Sequence, residues 1–167
     1  ANSQPAAAAY EKHWSKWHAD HPAGSEWHVT YSDVRAILAP YIQRALEGNR
    51  GQGARIVDVG CGSSNWGMEL LAENSQAELT LLDVSESLVA ELQQRLAADP
   101  RVQCVVGDCR QLRELGEKGL AAIVLDKGTL DALHELDDKV QMLQGVAALL
   151  QRPAGLLISI SFASASR

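Results

Sequence analysis

Short apolar runs alternate with stretches of helical periodicity from residue 54 onward. Continuous apolar runs bounded by turn residues are typical of strands that are buried on both faces of a sheet. Between the runs, apolar residues recur at helical spacing, as at Leu88, Leu92 and Leu96 before Pro100. Strands that alternate with helices predict an α/β fold, a doubly wound parallel sheet with helices on both faces. The predicted strands are 56–59, 79–82, 102–106, 121–125 and 156–162.

The N-terminal segment differs in character from the rest of the chain. Six of the eight aromatic residues lie within the first 41 positions. A Gly-rich stretch at 48–53 separates this segment from the alternating pattern. We therefore predict a single domain in two parts, an aromatic-rich helical segment at 1–48 and an α/β core at 54–167.

Composition and charge narrow the classes of partner. The chain has 15 basic and 21 acidic residues, for a net charge of -6, and this balance disfavours nucleic acid as a main partner. No apolar run approaches the roughly 18 residues of a membrane span, so no membrane association is predicted. Three cysteines without a Cys-x-x-Cys pair predict reduced thiols and an intracellular protein, with the cytoplasm favoured over the mitochondrion.

Acidic residues recur at the predicted carboxyl ends of the strands, where doubly wound sheets bind their ligands. Asp58, Asp83 and Asp108 follow one another at intervals of 25 residues. A carboxylate at Asp83, about 20 residues beyond the glycines of the first loop, suits the two hydroxyls of a ribose. Asp108 would accept a hydrogen bond from the exocyclic amine of adenine. Gly60 and Gly62 allow a sharp turn and a close approach of the backbone to a ligand, and the combination predicts a nucleoside site.

The kind of nucleoside is restricted by what the first loop lacks. Asn65 stands where a dinucleotide fingerprint has its third glycine, and the chain contains no Gly-x-x-x-x-Gly-Lys-Ser/Thr loop. A sulfonium cofactor has no pyrophosphate, so the missing glycine costs it little. Each acid taken alone could instead be a solvated strand end or a helix cap. His13, His18 and His21 lie near one another, but Pro22 interrupts their helix and no metal site is predicted.

Four segments carry a family resemblance. They are Val-Asp-Val-Gly-Cys-Gly-Ser-Ser at 57–64, Leu-Asp-Val-Ser at 82–85, Gly-Asp-Cys-Arg at 107–110 and Leu-Asp-Lys-Gly-Thr-Leu-Asp-Ala-Leu at 125–133. Together they resemble class I S-adenosylmethionine-dependent methyltransferases. The last segment is similar to the subgroup that contains the lysine methyltransferases of citrate synthase and of translation elongation factor 1-alpha. Residues 26–33 also resemble the N-terminal Asp-Trp-Phe segment of that subgroup.

The resemblance implies a Rossmann-like fold and S-adenosylmethionine as the cofactor. It implies cofactor contacts from the first loop, ribose contacts after the second strand and adenine contacts after the third. It also implies a lysine that pairs with the cofactor carboxylate and two tryptophans that close over the cofactor. In that order the residues are Gly60 and Gly62, Asp83 and Val84, Asp108 and Cys109, Lys127, and Trp14 and Trp27. The tryptophan at 14 could alternatively pack as one face of a helix.

The function predicted from these features is an S-adenosylmethionine-dependent methyltransferase, above all a protein-lysine N-methyltransferase. A small-molecule methyltransferase and a non-catalytic module that binds the cofactor or a protein remain alternatives. Transfer to a neutral amine needs positioning and desolvation but no protein nucleophile, so no catalytic residue is assigned. An acidic run would attract the lysine, although it could equally be a solvated helix start. Its members are Asp126, Asp131, Glu135, Asp137 and Asp138.

The chain departs from the family in the number of predicted strands. A domain of this class has seven strands and ends in a hairpin, whereas five strands are predicted here. The sheet is therefore expected to lack the C-terminal strand hairpin. Its fifth strand would be an open edge, and open edges recruit other chains. We accordingly expect self-association through this edge.

Overall fold

The computed structural model describes residues 4–20, 29–48, 54–117 and 119–162. Five strands form within these ranges: β1 (Ala54–Val59), β2 (Ala77–Asp83), β3 (Val102–Val106), β4 (Ile123–Lys127) and β5 (Leu156–Ile160). The helices are α1 (Gln4–Asp20), α2 (Tyr31–Glu47), α3 (Trp66–Glu73), α4 (Glu86–Leu96), α5 (Arg113–Gly116), α6 (Thr129–Ala132) and α7 (Leu136–Leu149), with a 3-10 helix at Cys109–Gln111. None of these helices combines the length and the apolar composition that a membrane span requires.

All five strands run parallel, in the order β3-β2-β1-β4-β5. The predicted doubly wound α/β sheet is therefore confirmed. β1 lies in the centre, where Val57 pairs with Thr80 of β2 on one side and with Val124 of β4 on the other. β4 begins two residues later than predicted, since Ala121 forms only an isolated bridge to Leu150.

Two apolar cores lie on the two faces of the sheet. Ile56 of β1 packs in the core that α2, α3 and α4 cover, where Leu71 is fully buried. Val57, the next residue, packs in the core that α5 and α7 cover, together with Met142. Successive side chains of a strand point to opposite faces. Because both faces of β1 are covered, its adjacent residues Ile56 and Val57 are both apolar instead of alternating with polar ones.

The two N-terminal helices pack differently. α2 buries Tyr31 and Ile42 in the core next to α3, and the Tyr31 ring lies edge-on to Trp66 of α3, with ring centroids 5.6 Å apart. α1 instead contacts α4, where Ser15 Oγ and Ser85 Oγ are 2.9 Å apart. α2 is thus part of the layer that covers the sheet, whereas α1 lies over the ends of the strands.

Most of the exposed large apolar side chains lie on the two helices that pack against β5 or directly after this strand. Within the described ranges, β5 is the outer strand on one side of the sheet and β3 is the outer strand on the other. α2 contacts both β4 and β5, and Leu157 of β5 packs in the core that α7 covers. Six of the eight exposed large apolar side chains lie on α2, on α7 or directly after β5. They are Ile37, Tyr41, Leu136, Val140, Leu143 and Phe162.

Candidate functional site

A cavity opens beside α1 at the carboxyl ends of β1, β2, β3 and β4. Its empty volume, which includes space open to solvent, is about 890 Å³. Eight of the nine residues predicted from the sequence line it: Trp14, Gly60, Gly62, Asp83, Val84, Asp108, Cys109 and Lys127. The ninth, Trp27, lies outside the described residues. The fold brings the eight together, and their contacts with a ligand stay predictions.

The loop after β1 turns at two glycines with positive φ, 66° at Gly60 and 53° at Gly62, which glycine adopts without strain. A Cβ on Gly60 would lie 2.1 Å from Thr129 Oγ1, and this hydroxyl donates a 2.8 Å hydrogen bond to the Val59 carbonyl. Gly60 therefore makes room for the Thr129 side chain, and its contact with a ligand stays a prediction. A Cβ on Gly62 would make an ordinary 3.5 Å contact with His18 Cε1 of α1.

Asp83 joins the loop after β1 to the start of α4. The residue is buried, and its carboxylate accepts hydrogen bonds from the backbone N–H of Gly62 at 3.0 Å and of Ser85 at 2.9 Å. An ionised carboxylate has about four lone-pair sites, so two remain for the hydroxyls of a ligand. Val84 follows on the cavity wall, and the Ser85 hydroxyl caps α4 by accepting from the Leu88 N–H at 3.4 Å.

Asp108 reaches the cavity after β3, but its carboxylate is already held by Arg110. Oδ1 of Asp108 accepts from the backbone N–H and from Nε of Arg110, each at 2.9 Å, and Nε also lies 3.0 Å from Oδ2. Burial raises the pKa of Asp108, but the hydrogen bonds and charge of Arg110 outweigh burial and leave the pKa below its usual value. The amine of an adenine would therefore share this carboxylate with Arg110.

Residues 126–132 make structural contacts that the sequence did not predict. The Asp126 carboxylate accepts from the Leu130 N–H at 3.0 Å and from the Ser159 hydroxyl at 2.6 Å. Burial nevertheless raises the pKa of Asp126. Gly128, with a φ of 84°, precedes α6, and Lys127 lies on the cavity wall. The run thus folds α6 against the strand ends and places Lys127 beside the cavity.

Asp58 of β1 is a buried acid to which the sequence assigned no binding role. The residue is 3% exposed, and its Oδ2 has no hydrogen-bond partner among the described residues. It faces α3, where a Cβ on Gly67 would lie 3.0 Å from Oδ2. Desolvation raises the pKa of Asp58 to about 7; Lys127 opposes the shift, and the nearby Asp126 and Asp83 reinforce it.

Helix α1 brings four aromatic side chains to the cavity: Tyr10, Trp14, Trp17 and His18. The rings of Trp14 and Trp17 have centroids 6.0 Å apart, and those of Trp17 and His18 lie edge-on at 5.2 Å. The tryptophans therefore pack together and also form part of the cavity wall. Tyr10 and Trp17 were missing from the predicted set. The signal for them was the spacing of 10, 14 and 17, which places all three on one helix face.

Cysteine and metal chemistry find little support in this region. Burial raises the pKa of Cys61 well above its usual value and that of Cys109 to about 12, so both are thiols at neutral pH. Cys61 is therefore not an activated nucleophile. In the part of the chain that the structure describes, no three His, Cys, Asp or Glu side chains are grouped to hold a metal ion.

A family model described as a methyltransferase domain matches residues 56–155, which is more than half of the chain. The chain belongs to this methyltransferase family. The match runs from β1 to the residue before β5 and so includes the four motifs and most of the cavity wall. The resemblance to class I S-adenosylmethionine-dependent methyltransferases, predicted from the motifs, is confirmed for family and fold.

Individual relatives show which methyltransferases this chain is similar to. The citrate synthase-lysine N-methyltransferase CSKMT, mitochondrial, of Pongo abelii is 27% identical over 167 residues, covering 89% of this chain and 68% of that protein. The eEF1A lysine and N-terminal methyltransferase of Danio rerio is 30% identical over 113 residues, covering 68% of this chain but only 15% of that protein. The glycopeptide N-methyltransferase MtfA, solved with sinefungin, shares the fold, with a TM-score of 0.57 at 20% identity, over 82% of this chain and 55% of that one.

Replacing Asp58 by Asn should change how the stability of the methyltransferase depends on pH. The folded state holds the Asp58 proton up to about pH 7, whereas the unfolded state releases it near 3.8. The favourable contribution of Asp58 is therefore complete below about pH 4 and is lost as the pH rises to about 7. Asp58→Asn should exceed wild type in stability at pH 8 by up to about 4 kcal/mol, and the difference should shrink towards pH 4. Urea denaturation between pH 4 and pH 8 measures it.

The control for this experiment is Glu91→Gln, an equivalent change at a side chain that is 59% exposed. Its difference from wild type should stay within about 0.5 kcal/mol at every pH. A constant offset between Asp58→Asn and wild type across the pH range would show that Asp58 is ionised in the folded state.

Gly60→Ala should destabilise the protein by about 1–3 kcal/mol, because the new methyl meets Thr129 and the backbone keeps a positive φ. Gly116→Ala is the matched control, since a Cβ there meets nothing within 4 Å, and it should be close to neutral. Denaturant midpoints compare the two. Equal midpoints for the two variants would mean that the loop after β1 relaxes without cost.

Proposed function

We propose that the protein transfers a methyl group from S-adenosylmethionine to the side-chain amine of a lysine in another protein. The observation that carries the proposal is the cavity at the strand ends, where four sequence motifs and α1 meet in a chain of the methyltransferase family. Two relatives that carry lysine methylation in their names support the choice of acceptor.

The side chains around the cavity suit the parts of this cofactor. Asp83 offers free lone pairs to the ribose hydroxyls, and Lys127 offers a cation to the carboxylate of the methionine end. Asp108 and Cys109 are assigned to the adenine, and Trp14 to a wall that covers the cofactor. The proposed set is completed by Gly60, Gly62, Val84 and Trp27.

The cofactor supplies a methyl group that is bonded to a sulfonium centre. The amine nitrogen accepts this methyl group as the carbon–sulfur bond breaks. The contribution of the protein is to orient the two reactants and to exclude water, for which α1 provides aromatic rings. No protein nucleophile takes part. The proton that a lysine ammonium must first lose passes to water or to a carboxylate at the rim of the cavity.

The acidic run offers less attraction for a lysine than its sequence suggests. Three of its five carboxylates already accept hydrogen bonds or form ion pairs within the protein: Asp126, Asp131 and Asp138. The other two, Glu135 and Asp137, are exposed at the start of α7. Electrostatic attraction of a cationic side chain therefore rests on these two acids.

We also propose an intracellular location. The three cysteines are free in the structure, and free thiols suit a reducing compartment. The relative from Pongo abelii is named as mitochondrial, whereas the sequence favoured the cytoplasm. Fractionation of cells that express the natural gene product distinguishes the two compartments.

The experiment for this function combines cofactor binding with methyl transfer. The wild-type protein should bind S-adenosylmethionine in calorimetry and transfer labelled methyl to citrate synthase, to eEF1A or to a protein of a cell lysate, with the label recovered as methyl-lysine. Asp83→Ala should weaken binding by about 1.5–3 kcal/mol, because charged hydrogen bonds to two hydroxyls are lost. Transfer at low cofactor concentration should fall in parallel.

Glu86→Ala is the control, because it removes an exposed acid at the start of α4. It should bind the cofactor as wild type does. A folded Asp83→Ala protein with unchanged affinity would overturn the ribose assignment. Tight binding without any methyl transfer would favour the non-catalytic module, and label recovered in small molecules would favour the small-molecule enzyme.

We further propose that the 167-residue polypeptide self-associates through the edge of β5. Edge strands present unpaired backbone donors and acceptors, and six exposed apolar side chains lie on the two helices that pack against β5 or directly after this strand. A surface that combines both features is prone to pair with another chain.

Light scattering should accordingly detect species larger than the 18.0 kDa monomer. The double variant Ile37→Lys, Leu143→Lys should shift the distribution towards the monomer, because two charges enter the exposed apolar surfaces of the helices that pack against β5. Val106→Lys is the control, since Val106 is 48% exposed on β3, at the opposite edge. A wild-type protein that stays monomeric at high concentration would show that the edge needs no partner.

A further inference from the structure

Behind the cavity, one arginine links three separate segments of the chain. Nε and Nη2 of Arg110 bind the Asp108 carboxylate, and Nη1 donates to Asp138 Oδ1 at 3.1 Å. The Arg110 guanidinium lies under the ring of Tyr10, with its carbon 5.3 Å from the ring centroid. The three partners belong to the turn after β3, to the first turn of α7 and to α1.

Arg110 does not itself reach the cavity, whereas Asp108 and Tyr10 both line it. The Arg110 side chain is only 5% exposed, so its charge interacts with its neighbours in an environment that contains little water. A cation beneath an aromatic face is held most strongly when it is desolvated. Arg110 therefore connects the adenine corner of the proposed site to α1 from outside the cavity.

Tyr10 anchors the first half of α1. Its hydroxyl donates to Asp138 Oδ2 at 3.4 Å and accepts from the His134 N–H at 3.3 Å. Both hydrogen bonds are long and therefore weak, so the ring holds Tyr10 more than the hydroxyl does, through its place over Arg110 and its packing against the core on that face of the sheet. Trp14, Trp17 and His18 follow on the same helix and line the cavity. Contacts that fix the position of Tyr10 therefore also fix the part of the cavity wall that those residues form.

We propose that Tyr10 is a positioning residue that docks α1 over the cavity by stacking on Arg110, so that helix docking and cofactor binding strengthen each other. The inference rests on the proposed function, because it takes S-adenosylmethionine as the ligand. A ligand at Asp108 touches the carboxylate that orients Arg110, and the same Arg110 orients Tyr10. Coupling between two such events is reciprocal: if docking of α1 raises the affinity for the cofactor, the cofactor favours docking of α1.

The test measures the Kd of S-adenosylmethionine by calorimetry and the quenching of tryptophan fluorescence on binding. Tyr10→Ala should raise the Kd by about tenfold, because the cation–π contact is lost, and should weaken the quenching at saturation. The melting temperature should fall by no more than about 3 °C. Tyr10→Phe keeps the ring over Arg110 and should restore the Kd to within about threefold of wild type.

Tyr41→Ala is the matched control, since Tyr41 is 60% exposed on α2 and is absent from the cavity wall. It should bind as wild type does. An unchanged Kd for Tyr10→Ala would overturn the inference while leaving the proposed function intact. A Tyr10→Phe protein as weak as Tyr10→Ala would overturn it too, because the ring would then not be the anchor. A wild-type protein that does not bind S-adenosylmethionine would overturn both proposals.

Discussion

In the parallel sheet the carboxyl ends of the strands lie side by side. Three carboxylates near these strand ends have little access to water. Asp58, Asp83 and Asp126 are each 5% exposed or less, and a buried charge is costly unless donors surround it. Asp83 finds its donors in the backbone of the next loops, and Asp126 finds them in α6 and β5. Asp58 lacks an equivalent set, and its raised pKa follows.

The shape of the candidate site follows from how these carboxylates are satisfied. The Gly62 N–H that binds Asp83 belongs to the loop after β1, so the carboxylate proposed to bind the ribose also fixes this loop. The Leu130 N–H that binds Asp126 starts α6, which in turn carries Thr129 to the other side of the same loop. The local fold and the proposed ligand binding therefore depend on the same side chains.

The sequence was sufficient for the sheet and for most of the cavity wall, since apolar runs and strand-end motifs are local signals. Contacts between distant positions were not visible in it. Nothing near Gly60 indicates that Thr129 fills the space of its missing side chain, and nothing near Arg110 indicates that Asp138 of α7 also binds its guanidinium. The stacking of Arg110 on Tyr10 joins positions about one hundred residues apart. Such pairings depend on how helices are laid over the sheet, which periodicity does not specify.

The fit of Thr129 against Gly60 has a consequence for how related sequences can diverge. A side chain at position 60 and a branched hydroxyl at position 129 exclude each other sterically, and the hydroxyl donates a hydrogen bond to the Val59 carbonyl. A related protein that gained a methyl group at position 60 would also need a smaller side chain at position 129. The two positions should therefore vary as a pair across descendants, although 69 residues of chain separate them.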